Sequence, residues 1–191
     1  VSWYEASVGE RPEYAPLDGS VDTDVAIVGG GFTGLQAAYN LAKKGVRVTL
    51  IEAHRFGDGA SGRNGGQLGT GQRAEAESLE AELGFERAKA LFDLAENAKR
   101  YIHDFAESQT LHIDYVPGQL NVSHKTSYEK EFRDHIEIAA TRFGYKHLSY
   151  MDRVETEERV GSKRFFFGLR DTGTGHIHTM KLLVGVARAA K

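Results

Sequence analysis

A glycine-rich turn near the start of the chain has the spacing of a phosphate-binding site. Gly29, Gly31 and Gly34 fit the pattern G-x-G-x-x-G. In such a turn the first glycine permits a tight bend, the second lets the backbone approach a diphosphate, and the third lets a helix pack closely on a strand. Free amides at the start of that helix attract negative charge without a lysine. The pattern predicts a dinucleotide ligand.

An acidic residue follows at the distance that this chemistry needs. Glu52 is the first acid after the second apolar run and is followed by Ala53. Its carboxylate could accept hydrogen bonds from both ribose hydroxyls of an adenosine. The same charge would repel a 2′-phosphate, which argues against NADP.

Two strands and a helix must position these residues. Val25–Val28 is a short apolar run that suits a parallel strand buried on both faces. The spacing of apolar residues over Gly34–Lys44 predicts a helix, with Gly45 ending it in a left-handed conformation. Val46–Ile51 is then the second strand. The result is a right-handed βαβ unit.

A second glycine-rich segment favours a flavin dinucleotide over a nicotinamide dinucleotide as the predicted ligand. Seven of the fifteen residues from Gly57 to Gly71 are glycine. An NAD-binding domain has no need of such a loop, whereas flavin is long and ends in a flat polar ring that backbone amides could approach. A mobile surface loop is the alternative interpretation.

The rest of the chain predicts a second, mixed domain. A helical pattern covers Arg73–Ser108, with Gly84 splitting or bending it and an apolar stripe through Leu91, Leu94, Ala98, Tyr101 or Ile102, and Phe105. The further predicted elements are a hairpin around residues 117–118, a helix over Tyr128–Phe143, a strand over Arg164–Leu169, a glycine loop over residues 173–175 and a helix from Lys181 to Lys191.

Composition excludes several classes of function. The net charge is -3 and the basic residues are scattered, so we expect no nucleic-acid partner. The absence of cysteine excludes disulfides, cysteine-based zinc sites and iron–sulfur clusters. No apolar run reaches the roughly 18 residues of a membrane span, and we expect a cytoplasmic protein.

The loop residues resemble those of a known enzyme family. Gly59–Gln67 and, less specifically, Ser2–Tyr4 are similar to segments of the D-amino-acid oxidase and glycine oxidase superfamily, within it most of all to gamma-glutamylputrescine oxidases. The resemblance implies a Rossmann-like α/β FAD-binding domain and part of an α+β substrate domain. It also implies that the C-terminal half of the enzyme is missing and that the isolated piece could be inactive. The implied reaction is oxidation of a primary or secondary amine, an amino acid or a gamma-glutamylputrescine-like compound, by hydride transfer to the flavin, with oxygen as acceptor.

The resemblance also implies the residues that hold the cofactor. The turn would hold the diphosphate, Glu52 the ribose, Ser61 and Arg63 the phosphate side, and the following residues the flavin. Certain relatives attach FAD through cysteine or histidine. This chain has no cysteine and carries Gly62 and Arg63 in that loop, so noncovalent FAD is implied. The full set is Gly29, Gly30, Gly31, Phe32, Thr33, Gly34, Glu52, Ala53, Ser61, Arg63, Asn64, Gly65, Gly66 and Gln67.

Four ranges follow as the expected domain organisation. They are an N-terminal arm over 1–20, a first part of the FAD domain over 21–111, a partial substrate domain over 112–177, and a return into the FAD domain over 178–191. No residue stands out as the catalytic base.

Other interpretations remain at this point. An NAD-dependent dehydrogenase domain and a non-catalytic nucleotide-binding module both fit the βαβ unit. His176 and His178 alternate onto one side of an extended segment, which favours polar packing over a metal site because no third ligand is identifiable. The glutamates at 155, 157 and 158 indicate a solvated helix face rather than acid–base chemistry.

Overall fold

The computed structural model describes residues 2–191, which form two compact units. We call them the turn unit and the sheet unit. The turn unit holds the chain up to Gly66 together with Ile102–Tyr115 and Ile177–Lys191, and the sheet unit holds Gln67–Tyr101 and Val116–His176. This division differs from the predicted ranges, because residues 67–101 group with the sheet unit.

The turn unit contains the βαβ arrangement that the sequence predicts. A short helix, α1 (Trp3–Ser7), precedes β1 (Val25–Val28), α2 (Phe32–Ala42) and β2 (Val48–Ile51). The two strands pair in parallel over their full lengths. Gly45 has φ +77, which confirms the left-handed end of the helix segment.

The prediction that β1 is buried on both faces is wrong for the described residues. Val28 at the end of β1 is 83% exposed, and its partner Ile51 on β2 is 43% exposed. Leu35 and Ala38 of α2 are buried, but β1 and β2 are the only strands of this sheet within residues 2–191. The apolar sequence of β1 is thus typical of a central strand, even though no further layer of described residues covers its exposed side.

The sheet unit is built around one long strand. Its elements are β3 (Gln67–Leu68), α3 (Ala76–Leu83), the first part of α4 (Phe85–Ser108), β4 (Val116–Ser123), α5 (Glu129–Thr141), β5 (Leu148–Met151), α6 (Arg153–Val160) and β6 (Phe167–His176). β4 pairs with one edge of β6, and β3 and β5 also pair with β6. Every pairing is antiparallel.

Two predicted breaks in this sheet are wrong. Residues 117–118 do not form a hairpin, because β4 continues through them and its register with β6 shifts at that point. Gly118 lies at this β-bulge and has φ +93, a backbone conformation that favours glycine. The predicted glycine loop is also strand: Gly173 and Gly175 lie within β6. A Cβ on Gly173 would overlap the Tyr145 hydroxyl, so this glycine permits a close approach rather than a turn.

The helices lie where the sequence pattern predicts them, but the buried face of α4 differs from the predicted one. Gly84 has φ +81 and separates α3 from α4, as predicted. The predicted stripe on α4 is partly wrong, since Leu94 is 61% exposed and Tyr101 is 41% exposed. The buried positions of α4 are Ala88, Phe92, Lys99, Phe105 and Ala106.

The two later helices are confirmed within a few residues of their predicted bounds. α5 lies within the range predicted from Tyr128, and α7 (Thr179–Ala189) replaces the range predicted from Lys181. α7 is buried along most of its length. Of the helices in residues 2–191, none is both long and apolar enough to cross a membrane.

Candidate dinucleotide site

The glycine turn joins the end of β1 to the start of α2. Gly29 has φ +101, a conformation that favours glycine. A Cβ on Gly34 would overlap the carbonyl oxygen of Gly29. Helix and turn therefore approach each other more closely than any other residue at position 34 would allow.

The amides of this turn are partly engaged. The Gly30 N–H donates to Oε2 of Glu52 at 2.6 Å, and the Phe32 N–H donates to Oγ of Ser61 at 3.1 Å. Other N–H groups of the first turn, including that of Thr33, have no acceptor within the helix. Thr33 is exposed. The turn thus keeps donors that an anion could use.

Glu52 is held as a carboxylate directly after β2. Besides the bond from Gly30, it accepts the His54 N–H at 3.1 Å. The Gly30 hydrogen bond is the main reason that the pKa of Glu52 lies below its usual value, with the amides of His54 and Ala53 adding to the effect against partial burial. The acid predicted to bind ribose is therefore anionic at neutral pH and adjoins the turn.

An aromatic residue covers one side of the turn. A Cβ on Gly30 would overlap the ring of Phe56, whose centroid lies 5.3 Å from that of Tyr14 in an edge-on contact. Arg11 donates to the carbonyl oxygen of Phe56 and to Asp58 at 2.8 Å. The N-terminal arm is thus attached to the site. Our sequence reasoning missed Phe56, because an aromatic residue in a glycine-rich loop has no distinguishing pattern.

Thr179, at the start of α7, fastens the second glycine-rich loop. Its hydroxyl donates to the Ser61 carbonyl at 2.9 Å and accepts from Nδ2 of Asn64 at 3.0 Å. Oδ1 of Asn64 accepts the Gly66 N–H at 2.8 Å. Thr179 is 1% exposed. This contact is separated by more than 110 positions in sequence, so no local pattern could have revealed it.

The remaining predicted residues of this loop follow Ser61 along the chain. Arg63 and Gly65 are exposed on the same loop, and Gln67 belongs to the sheet unit as the first residue of β3. The structure therefore brings the glycine turn, Glu52 and Ser61 together. Asn64 and Gly66 are linked to them through Thr179.

His178 is the N-cap of α7 and not part of a metal cluster among the described residues. Its Nδ1 accepts the Lys181 N–H at 3.2 Å, and its Nε2 lies 2.9 Å from Oγ of Ser7. A ring that accepts at Nδ1 carries its proton at Nε2 and donates it to Ser7. His176 is the last residue of β6 and lies in the sheet unit. The capping role of His178 is the polar packing that the sequence favoured over a metal site.

The capping role of His178 gives a pH dependence. Burial, aided by Lys181, lowers the pKa of His178 below its usual 6.5. The unfolded chain then binds more protons, so the contribution of His178 to stability is complete above about that value and is lost as the pH falls. We expect the melting temperature to fall less on acidification in His178→Asn, because asparagine caps without titrating. Equal pH profiles for both proteins would contradict this.

The charged turn of α6 carries no chemistry of its own. Arg159 pairs with Glu155 and Arg153 pairs with Glu157, both at 2.8 Å and four residues apart. Glu158 is exposed. These pairs are the solvated helix face that the sequence indicated.

Comparisons with known proteins identify the family of this chain. The family model of DAO, described as FAD dependent oxidoreductase, matches residues 24–191. The probable oxidoreductase OrdL of Rhizobium meliloti is 61% identical over 189 residues, which is 99% of this chain and 44% of that protein. The gamma-glutamylputrescine oxidoreductase of Escherichia coli is 34% identical over 190 residues, covering 100% of this chain and 44% of that protein.

A solved structure has the same fold. The L-amino acid deaminase of Proteus myxofaciens superposes with a TM-score of 0.74 at 20% identity, over 95% of this chain and 39% of that one. The chain thus spans less than half the length of the relatives that it matches. FAD is the cofactor of that family. Because the family model covers nearly the whole chain, the chain belongs to the DAO family of FAD-dependent oxidoreductases.

Proposed function

We propose that this chain supplies the diphosphate and ribose contacts of a noncovalently bound FAD in an enzyme that oxidises an amine or amino acid. The observation that carries the proposal is the glycine turn beside an ionised Glu52. First-turn amides of α2 are available to the diphosphate, and the carboxylate adjoins them at the end of β2.

The local contacts fit the group. The Ser61 hydroxyl accepts the Phe32 amide and so lies beside the start of α2, where it could donate its own proton to a phosphate oxygen. The proposed FAD residues are therefore those of the turn together with Glu52, Ala53, Ser61, Arg63, Asn64, Gly65, Gly66 and Gln67. None of these 191 residues is a cysteine, so none of them can form a cysteinyl link to FAD.

The substrate class is proposed from the relatives. The name of one relative specifies gamma-glutamylputrescine, and one of the proteins with this fold is an L-amino acid deaminase, so both names point to compounds with an amine nitrogen. When bound, FAD would accept a hydride, that is two electrons and a proton, from the carbon beside that nitrogen. The contribution of the described residues is to hold and orient the cofactor. We propose oxygen as the final electron acceptor.

A spectroscopic experiment tests this function. Under anaerobic conditions, addition of an amine or amino acid to the full-length, flavin-loaded protein should bleach the visible flavin absorption, and air should restore it. The matched control is the corresponding alcohol, which should leave the spectrum unchanged. An NAD-dependent enzyme would instead bind NADH and show a higher melting temperature with it than with FAD. A flavin that no amine reduces would contradict the proposal.

A further inference from the structure

The N-terminal arm carries an arginine whose charge is buried. The side chain of Arg11 is 9% exposed, and arginine is seldom buried unless it is paired. Its Nη2 donates to Oδ1 of Asp58 at 2.8 Å and to the carbonyl oxygen of Phe56, and its Nη1 lies 3.6 Å from Oε1 of Glu5. Arg11 therefore fastens the loop that follows Glu52 at two points.

A second arginine shares these acids from a more exposed position. Arg55 donates to Glu5 at 2.7 Å and lies 3.5 Å from Asp58, but its side chain is 56% exposed. The hydrogen bond from Arg11 is the main reason that the pKa of Asp58 lies below its usual value. Because water screens an exposed ion pair, the buried Arg11 is the stronger anchor of the two arginines.

The loop fastened by Arg11 places the Phe56 ring against the glycine turn. A Cβ on Gly30 would overlap two carbon atoms of this ring, so the ring contacts the backbone of the turn directly. The same Cβ would lie 3.2 Å from Oε2 of Glu52, the oxygen that accepts the Gly30 N–H. The ring therefore packs beside the hydrogen bond that joins the turn to the carboxylate.

A second residue of the arm also contacts this ring. The edge-on contact between Tyr14 and Phe56 joins centroids 5.3 Å apart, and the Tyr14 hydroxyl donates to the carbonyl oxygen of Ala187 on α7 at 3.2 Å. The next residue of the loop, Gly57, has φ +92, and a Cβ there would overlap the sulfur of Met180. All of these residues belong to the turn unit. The ring and its loop are thus held by the arm, the glycine turn and α7.

We propose that Arg11 is a positioning residue of the FAD site, which acts through Phe56. By fixing the Phe56 backbone, Arg11 keeps the ring against Gly30 and so keeps Glu52 in place for the adenosine ribose. Without Arg11 the loop would have to be ordered when FAD binds, and the cost of that ordering would lower the affinity. The role of Arg11 rests on the proposed function, because the ligand that it serves is the FAD proposed above.

Fluorescence titration of the full-length, flavin-free protein with FAD measures this role. Arg11→Met keeps a long apolar stem but loses the charge and the N–H donors, and should weaken FAD binding about tenfold. Arg11→Lys keeps a charge and N–H donors, and should bind FAD within about threefold of the unsubstituted protein. The matched control is Arg47→Met, which breaks an ion pair with Asp24 at the end of the strand pair away from the turn and should leave FAD affinity unchanged.

A double-mutant cycle separates positioning from a general effect on stability. If Arg11 acts through the Phe56 ring, Arg11→Met should weaken FAD binding about tenfold where the ring is present and less than about twofold in Phe56→Ala. A role in stability alone would lower the melting temperature and leave this coupling at zero. Equal losses of FAD affinity in the two backgrounds would therefore overturn the proposal.

The unsubstituted protein distinguishes the two levels of failure. If it binds FAD and Arg11→Met binds FAD as tightly as Arg47→Met does, the role of Arg11 is refuted and the proposed function stands. If the unsubstituted protein binds no FAD, the proposed function fails and the role of Arg11 fails with it. Should Arg11→Met not fold, Tyr14→Leu, at a position that is 45% exposed, still removes the edge-on contact with Phe56. It should weaken FAD binding about two- to threefold, and unchanged affinity would refute the positioning of the ring by the arm.

Discussion

Replacing Gly34 with alanine is expected to lower the free energy of unfolding by about 3 kcal/mol and to weaken FAD binding by about 100-fold. The new Cβ would overlap the carbonyl oxygen of Gly29, which is backbone and cannot rotate away. The start of α2 must then move from the turn, and the amides that face the diphosphate move with it. Thermal unfolding and flavin fluorescence titration measure the two effects.

The matched control for this substitution is Gly59→Ala. Gly59 lies in the second glycine-rich loop with φ -88, and a Cβ there has no atom within 4 Å. Alanine fits this backbone, so stability should stay within about 0.5 kcal/mol or rise slightly. Equal behaviour of the two variants would mean that the close approach at Gly34 has no role in the site.

Glu52→Gln is expected to weaken FAD binding by about 10- to 150-fold, corresponding to about 1.5–3 kcal/mol for hydrogen bonds to a charged group. The amides of Gly30 and His54 donate to different oxygens of Glu52, and glutamine keeps only one of them, so one amide loses its acceptor. The melting temperature without FAD should therefore fall by about 2–4 °C, the effect of losing about 1 kcal/mol. The larger loss should appear in the affinity for FAD, because the ribose hydroxyls would lose their anionic acceptor.

Asp22→Asn serves as the control for this charge change. Asp22 is exposed just before β1 and lies outside the proposed FAD residues. Its replacement removes the same charge and should leave FAD affinity unchanged. Should Glu52→Gln bind FAD as tightly as Asp22→Asn does, the carboxylate would have no part in holding the adenosine.

The sequence predicts those features whose cause is local. The turn from Gly29 to Gly34 and the breaks at Gly45 and Gly84 follow from short-range geometry, and each is found where the pattern put it. Local spacing also identifies α5 and α7. The proximity of Glu52 to the turn follows because two neighbouring parallel strands end at the same edge.

Features with a distant cause could not be predicted. Taken alone, Pro117 and Gly118 indicate a turn. Because the parts of β4 before and after Gly118 both pair with β6, these residues form a bulge instead. Gly173 indicates a loop until Tyr145 is seen to approach it from elsewhere in the chain. A glycine that allows close packing and a glycine that allows a turn have the same local sequence.

The buried face of α4 shows the same limit. Lys99 is 9% exposed, which composition alone would not suggest for a lysine. It is buried because Thr70 and the Gly173 carbonyl, both 2.8 Å away, accept its hydrogen bonds. The predicted apolar stripe includes Leu94, but Leu94 is exposed. The partners of a buried charge are set by tertiary structure.

The central claim is that the turn and Glu52 bind FAD without a covalent bond. The most direct test is to release the ligand from the purified protein by heat, with no protease, and to identify it by mass and absorption. We predict FAD in stoichiometric amount with the chain left unmodified. Release of a nicotinamide dinucleotide, absence of any dinucleotide, or flavin that remains attached to the polypeptide would contradict the account.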